Sequence, residues 1–197
     1  MTIKQQILKT IYHVAGKLIS KSSSAQLNKN KIQPITSFYL LKSRLINGQI
    51  FSFDQLKNKK VLIVNTASDC LYTAQYETLQ ILQDKYKEQL VVIGFPSNEF
   101  GKQEKADNLS IENFCKMNYG VDFPLMQKSI VKNAQDQHEV YQWLTDASKN
   151  GWNTLQPEWN FCKYLVDENG MLVGYFGSST SPLDKYLIAQ IEGGNNA

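Results

Sequence analysis

The chain reads as an α/β protein built on a central mixed sheet with helices on both faces. Two observations predict this. Val61-Leu-Ile-Val64 and Leu90-Val-Val-Ile93 are unbroken apolar runs of strand length, and a helical pattern separates them: Tyr76, Leu79, Leu82 and Tyr86 recur every three or four residues. Two buried strands joined by a helix form a βαβ unit with parallel strands. The second observation is a terminal pair, Phe161–Val166 and Met171–Phe176 across Asp167-Glu-Asn-Gly170, which reads as an antiparallel hairpin.

In chain order, residues 1–24 carry Ile3, Ile7, Ile11, Val14 and Leu18 on one helical face, punctuated by Lys4, Lys9, Lys17 and Lys21. Lys9 and His13 interrupt any secretory apolar core, and Arg is absent before Arg44, which argues against a typical transit peptide. Packing on its own domain, contact with a membrane surface through residues 1–21, and organelle targeting all remain open for this arm. Residues 22–36 are rich in Ser, Asn, Lys and Gln and are expected to be a linker. The division is therefore an arm over 1–36 and a domain over 37–197.

Phe38–Ile46 and Gln49–Phe53 flank Asn47-Gly48, a strong hairpin signal, and Asp54–Asn58 closes the unit with a short turn or helix. The first buried strand follows, then a helix over about 73–88 and the second buried strand, Leu90–Phe95, which ends in a loop over 96–104. Ser110 is expected to cap a helix to about Asn118, with Ile111, Phe114 and Cys115 on one face and Gly120 as its stop. His138–Lys149 reads as one helix, and the last helix is expected to start near Pro182. The order is that of a thioredoxin-type fold with an N-terminal β-hairpin extension.

Composition narrows the function. Apolar residues make up 42% and charged residues 20%, as in ordinary globular proteins. No stretch approaches the roughly 18 apolar residues of a membrane span. Residues 1–53 contain no Asp or Glu and carry +8, so a net charge of +3 leaves the remainder at −5. That acidic body argues against nucleic acid as a partner. Cys70, Cys115 and Cys162 are widely spaced without C-x-x-C, and His13 and His138 lie far from them in sequence. No metal or cofactor is expected, and the count fits a reducing, cytoplasmic setting.

Cys70 is placed where the first buried strand hands over to its helix. Unpaired N–H groups and the positive end of the helix dipole gather there and favour a thiolate. Ligand sites of such sheets lie beyond the carboxyl ends of the strands, so the 96–104 loop should face Cys70.

Three blocks resemble the signatures of the glutathione peroxidases: Asn65-Thr-Ala-Ser-Asp-Cys70-Leu-Tyr-Thr-Ala-Gln75-Tyr76, Gly94-Phe-Pro-Ser-Asn-Glu-Phe-Gly101-Lys-Gln103-Glu104, and Trp159-Asn160-Phe161-Cys-Lys163-Tyr-Leu165. The resemblance runs from about Phe38 to Ile191. It implies a thiol peroxidase in which Cys70 attacks peroxide while Gln103, Trp159 and Asn160 complete a catalytic tetrad. Uncharged N–H donors of those types stabilise a sulfur anion and should lower its pKa.

Cys115 resembles the resolving cysteine of the thioredoxin-dependent branch; from position alone it is a core residue of its helix. The two readings together imply that residues 108–120 unwind to form a Cys70–Cys115 disulfide. Cys162 alternates with Tyr164 and Val166 and is read as packing. Leu71 stands where the family usually has Gly, which raises the question of backbone strain. Ser97 and Glu99 replace a common Cys and Gln, and Asp69 is expected to face solvent.

The compact Phe123–Glu158 connection and the acidic body resemble the monomeric branch reduced by thioredoxin, with an open site suited to lipid hydroperoxides. Two alternatives stand beside it: glutathione as reductant with Cys115 idle, and a redox relay that passes its disulfide to a partner protein.

Overall fold

The computed structural model describes residues 2, 3, 5–7, 10, 11 and 25–193. Val14, Leu18 and several lysines of the expected N-terminal helix fall outside the described residues. Ile3, Gln5–Ile7, Thr10 and Ile11 are helical, and Thr2 caps them by accepting the Gln5 N–H at 3.2 Å.

The sheet has five strands: β1 (Ala25–Leu27), β4 (Lys60–Thr66), β5 (Leu90–Pro96), β6 (Lys163–Val166) and β7 (Leu172–Phe176), in the spatial order β1-β7-β6-β4-β5. β4 and β5 are parallel, with Val61 opposite Val91, and the other pairs are antiparallel. A separate hairpin of β2 (Lys42–Arg44) and β3 (Ile50–Ser52) turns at Asn47-Gly48, where Gly48 has φ +90°.

β4 is buried on both faces, which explains its continuous apolar run. Leu62 and Val64 meet α1 (Gln75–Tyr86), α2 (Asn108–Tyr119) and α5 (Lys185–Ile191) through Leu79, Leu82, Ile111, Cys115, Leu187 and Ile191. Val61 and Ile63 meet the hairpin and α3 (Glu139–Thr145) through Phe51, Phe53, Val140, Trp143 and Leu144. Helices thus cover both faces of a mixed sheet, as expected.

Several boundaries differ from the sequence reading, each for a local reason. Residues 25–36 do not behave as a free linker: β1 pairs with the edge strand β7, the Asn28 amide donates to Leu172 O at 3.1 Å, and Thr36 O accepts the Trp143 indole N–H at 2.7 Å. Phe38–Leu40 is a 3₁₀ turn rather than strand, because the Ser37 hydroxyl caps it. α2 begins two residues before Ser110, since Asp107 accepts the Ser110 N–H at 2.8 Å. The expected helix over 138–149 is two helices. His138 caps α3, and the extended Asp146 ends it and caps α4 (Ala147–Asn150) by accepting the Ser148 N–H. α5 starts after Asp184 rather than at Pro182, again through a side-chain cap.

Candidate active site

Cys70 is 1% exposed and lies just beyond the carboxyl end of β4. It caps a 3₁₀ turn, Leu71–Ala74, that leads into α1. Its Sγ accepts the Tyr72 N–H at 3.4 Å. Its own N–H donates to the Thr73 hydroxyl at 2.9 Å, and that hydroxyl donates to Ala67 O. The corner therefore presents a backbone donor to sulfur, as the strand-to-helix position requires.

The third block is positioned by Asn65, a buried polar residue of β4. Its amide donates to Trp159 O at 2.8 Å, while its Oδ1 accepts the Cys162 N–H at 3.0 Å and its backbone O accepts the Phe161 N–H at 2.6 Å. Phe161 has φ +67°, a costly conformation for a bulky residue. The Asn65 clamp holds it there and aims Trp159 and Asn160 back at Cys70. Sequence reading gave Asn65 no role. The signal was a lone amide after four apolar residues, since a buried amide needs partners.

The Trp159 and Asn160 side chains lie near enough to the Cys70 sulfur to pull its thiol pKa down. Gln103 takes a different place from the one expected: its Oε1 accepts the Asn160 amide at 2.9 Å, so it orients Asn160 as an acceptor. Its backbone O also accepts the Asp69 N–H at 3.1 Å, which ties the 96–104 loop to the Cys70 loop. The Trp159 indole lies over Phe100 at 5.9 Å between ring centroids and is 37% exposed, so the mouth of the site is partly apolar.

The electrostatic balance at Cys70 also differs from the expectation. Burial pushes the thiol up; the Tyr72 N–H, Asn160 and Trp159 pull it back, and the Asp69 charge adds to burial. The result is a raised pKa, because desolvation outweighs the donors. Asp69 is half-buried, not turned fully to solvent.

Leu71 does not have a positive φ, so this backbone has no need of glycine. Ser97 is buried and donates to Glu99 at 3.3 Å, and Glu99 accepts the N–H groups of Val131 and Lys132. Glu99 thus fastens the neighbouring loop. Cys115 is fully buried on α2, and its thiol is pushed up to about 12 chiefly by burial. Cys162 packs with Tyr164 and Val166 on the other side of the sheet, where the Tyr175 hydroxyl donates to its sulfur at 3.4 Å. All three cysteines are free thiols.

At the rim, the Gln5 side chain donates to Ser68 O at 3.1 Å, so the N-terminal helical residues meet the loop that carries Cys70. Ile3 and Ile7, 77% and 54% exposed, face outward.

A buried thiol at a strand-to-helix corner, held by an N–H of its own turn and approached by uncharged side chains from one distant segment, is the arrangement of a thiol oxidoreductase on a thioredoxin-like sheet. Comparison with known proteins narrows that class. The family model "Glutathione peroxidase" matches residues 38–145. Glutathione peroxidase-like peroxiredoxin 2 of Saccharomyces cerevisiae is 46% identical over 75% of this chain and 91% of its own length. Glutathione peroxidase homolog BsaA of Halalkalibacterium halodurans is 45% identical over 75% of this chain and 93% of its own. The crystal structure of T. cruzi GPX1 superposes with a TM-score of 0.59 at 31% identity, over 82% of this chain and all of that one. The chain belongs to the glutathione peroxidase family, and it is a peroxidase with a thioredoxin-like fold.

Proposed function

We propose that the protein reduces hydrogen peroxide and organic or lipid hydroperoxides through Cys70, with Cys115 as resolving cysteine and thioredoxin as reductant. The observation that carries this reading is the Tyr72 N–H that donates to the Cys70 sulfur, with the Asn160 and Trp159 side chains near enough to favour its thiolate. The Cys70 thiolate attacks one peroxide oxygen, and the O–O bond breaks. The departing oxygen takes a proton and leaves as water or an alcohol. Cys70 becomes a sulfenic acid, and the donors that held the thiolate orient the peroxide.

The sulfenic acid condenses with Cys115. That thiol faces the core from a helix capped at both ends, by Asp107 and by Gly120 with φ +65°. α2 therefore opens to deliver it. Opening appears as lost amide protection over residues 108–119 on oxidation; unchanged protection in the disulfide form removes it. The burial of Cys115 also lends weight to a second reading, in which glutathione reduces Cys70 directly. Peroxide consumption separates them: Cys115→Ser abolishes turnover with thioredoxin under the first reading and spares turnover with glutathione under the second.

The outward stripe of Ile3, Ile7 and Ile11 and the acid-free, basic first 53 residues fit contact with an anionic lipid surface. The Gln5–Ser68 contact sets that stripe beside the site, which suits lipid hydroperoxides. A monomeric, cytoplasmic or membrane-peripheral protein completes the proposal.

A further inference from the structure

The hydroxyl of Thr73 takes no part in the chemistry above, yet it closes the turn around Cys70. Thr73 is 4% exposed and sits at the end of the strand-to-helix corner. Its Oγ1 accepts the Cys70 N–H at 2.9 Å and donates to Ala67 O at 2.9 Å, and both bonds are buried. Its own N–H donates to Cys70 O at 3.1 Å. One side chain therefore laces residues 67–73 into a closed ring with Cys70 at its midpoint.

A hydroxyl has one hydrogen and two lone pairs. Here the hydrogen is committed to Ala67 O, so a lone pair is left to face the Cys70 N–H. Ala67 directly follows β4, so the rigid end of the central strand sets the direction of that bond. Cys70 is held with φ −106° and ψ 154°, and its Sγ stands at the head of the 3₁₀ turn, where it accepts the Tyr72 N–H at 3.4 Å. Sulfur is a weak acceptor, and cysteine is not among the residues that favour this capping position. The N–H···S contact alone does not hold a neutral thiol in place. The Thr73 ring holds it from the backbone side.

A threonine in such a turn often does no more than satisfy backbone groups. Thr73 differs in which N–H it takes, that of the nucleophile itself.

We propose that Thr73 is a positioning residue for peroxide attack: its hydroxyl, anchored on Ala67 O, fixes the Cys70 backbone so that the sulfur meets the Tyr72 N–H. This rests on the reading of Cys70 as the peroxide-reactive thiol. Thr73 acts through the Cys70 backbone and not on the sulfur. Among the groups that favour the Cys70 thiolate, the Tyr72 N–H weighs most. Without the Thr73 hydroxyl, the buried Cys70 N–H and Ala67 O both lose this partner. A rotation of Cys70 that finds its N–H a new one draws the sulfur off the Tyr72 N–H. Burial then acts on the thiol with its main counterweight gone.

The test compares wild type, Thr73→Val and Thr73→Ser. Alkylation of Cys70 by iodoacetamide is read by peptide mass spectrometry between about pH 5 and 10, and the rate of reaction with hydrogen peroxide is followed on the same proteins. Thr73→Val removes the hydroxyl at nearly constant shape. It should move the alkylation midpoint up by about one unit and slow peroxide attack at neutral pH about tenfold, with the loss shrinking as pH rises past the midpoint. Thr73→Ser keeps the hydroxyl and should return most of both. An unchanged midpoint in Thr73→Val, or a serine variant no better than the valine one, overturns the inference, because the threonine then serves the fold alone. Amide exchange of the reduced wild type supplies a check that needs no variant. The Cys70 N–H should exchange far more slowly than an open loop amide, and free exchange there overturns the inference too. A wild type that alkylates at Cys70 but never reacts with hydrogen peroxide overturns the peroxidase reading instead, and the alkylation midpoints still decide on Thr73.

Discussion

The Asn160 amide donates to Gln103 Oε1 at 2.9 Å, so the two amides form a hierarchy rather than a pair of equal donors. Asn160 faces the sulfur, and Gln103 fixes the direction in which Asn160 points. Removing the first should therefore hurt more than removing the second. A hydrogen bond to a charged group contributes about 1.5–3 kcal/mol, which corresponds to one to two units of pKa. Asn160→Ala should raise the Cys70 pKa by at least about one unit and slow peroxide attack at neutral pH by about tenfold or more. Gln103→Ala should do the same by a smaller factor. Rates of Cys70 alkylation and of peroxide reduction against pH read both effects. Equal losses from the two variants contradict the hierarchy.

The turn after Cys70 yields a prediction against the family pattern. Leu71 has an ordinary negative φ and begins a 3₁₀ turn, so glycine relieves no strain there. Leu71→Gly should lower stability by about 0.5–1 kcal/mol, through backbone entropy. Urea denaturation measures it, and a gain in stability contradicts it.

Glu104 gives the fold a pH dependence. Its folded pKa lies near 7, above the unfolded value of 4.5, so the folded state holds the proton more tightly. The stability it confers is fully present below about 4.5 and is lost as pH rises to about 7. Glu104→Gln abolishes that titration. The variant should gain on wild type between those limits, by up to about 3 kcal/mol, and keep a constant lead above them. Lys163 works in the opposite direction. Burial lowers it from 10.5 to about 7, so its stability is present above the unfolded value and is lost as pH falls toward 7. Urea midpoints of both proteins from pH 4 to 10 test this; a difference independent of pH contradicts it.

The N-terminal arm can be cut only up to the point where the sheet begins. β1 starts at Ala25 and completes the sheet edge, so a deletion of residues 1–24 should fold while one reaching residue 35 exposes β7. The shorter deletion should lower sedimentation with anionic liposomes. Equal partitioning of the two proteins removes the membrane role.

What was legible in the sequence followed from patterns with a short physical reach. The Val61–Val64 run announced a strand buried on both faces, and the small polar residues after it announced the corner that holds Cys70. β1 was not legible, because three residues in a stretch rich in Ser, Asn and Lys show no alternation. The place of Gln103 was half legible. Its motif named it, but an amide carries both donor and acceptor, and only coordinates show that the acceptor is used. The direction of the Cys70 shift was misread because burial is a property of the whole fold, and it outweighs donors that the motif displays. Glu104 was named only as the end of its motif block; its burial and its bond to Ser68 depend on residues far apart in the chain.

The most direct measurement is the state of each cysteine after one equivalent of hydrogen peroxide, mapped by peptide mass spectrometry with a sulfenic-acid trap. The account predicts a Cys70–Cys115 disulfide in the wild-type protein, a persistent sulfenic acid at Cys70 in Cys115→Ser, and Cys162 unmodified in both. Oxidation that begins at Cys115 or Cys162 while Cys70 remains a thiol would contradict it.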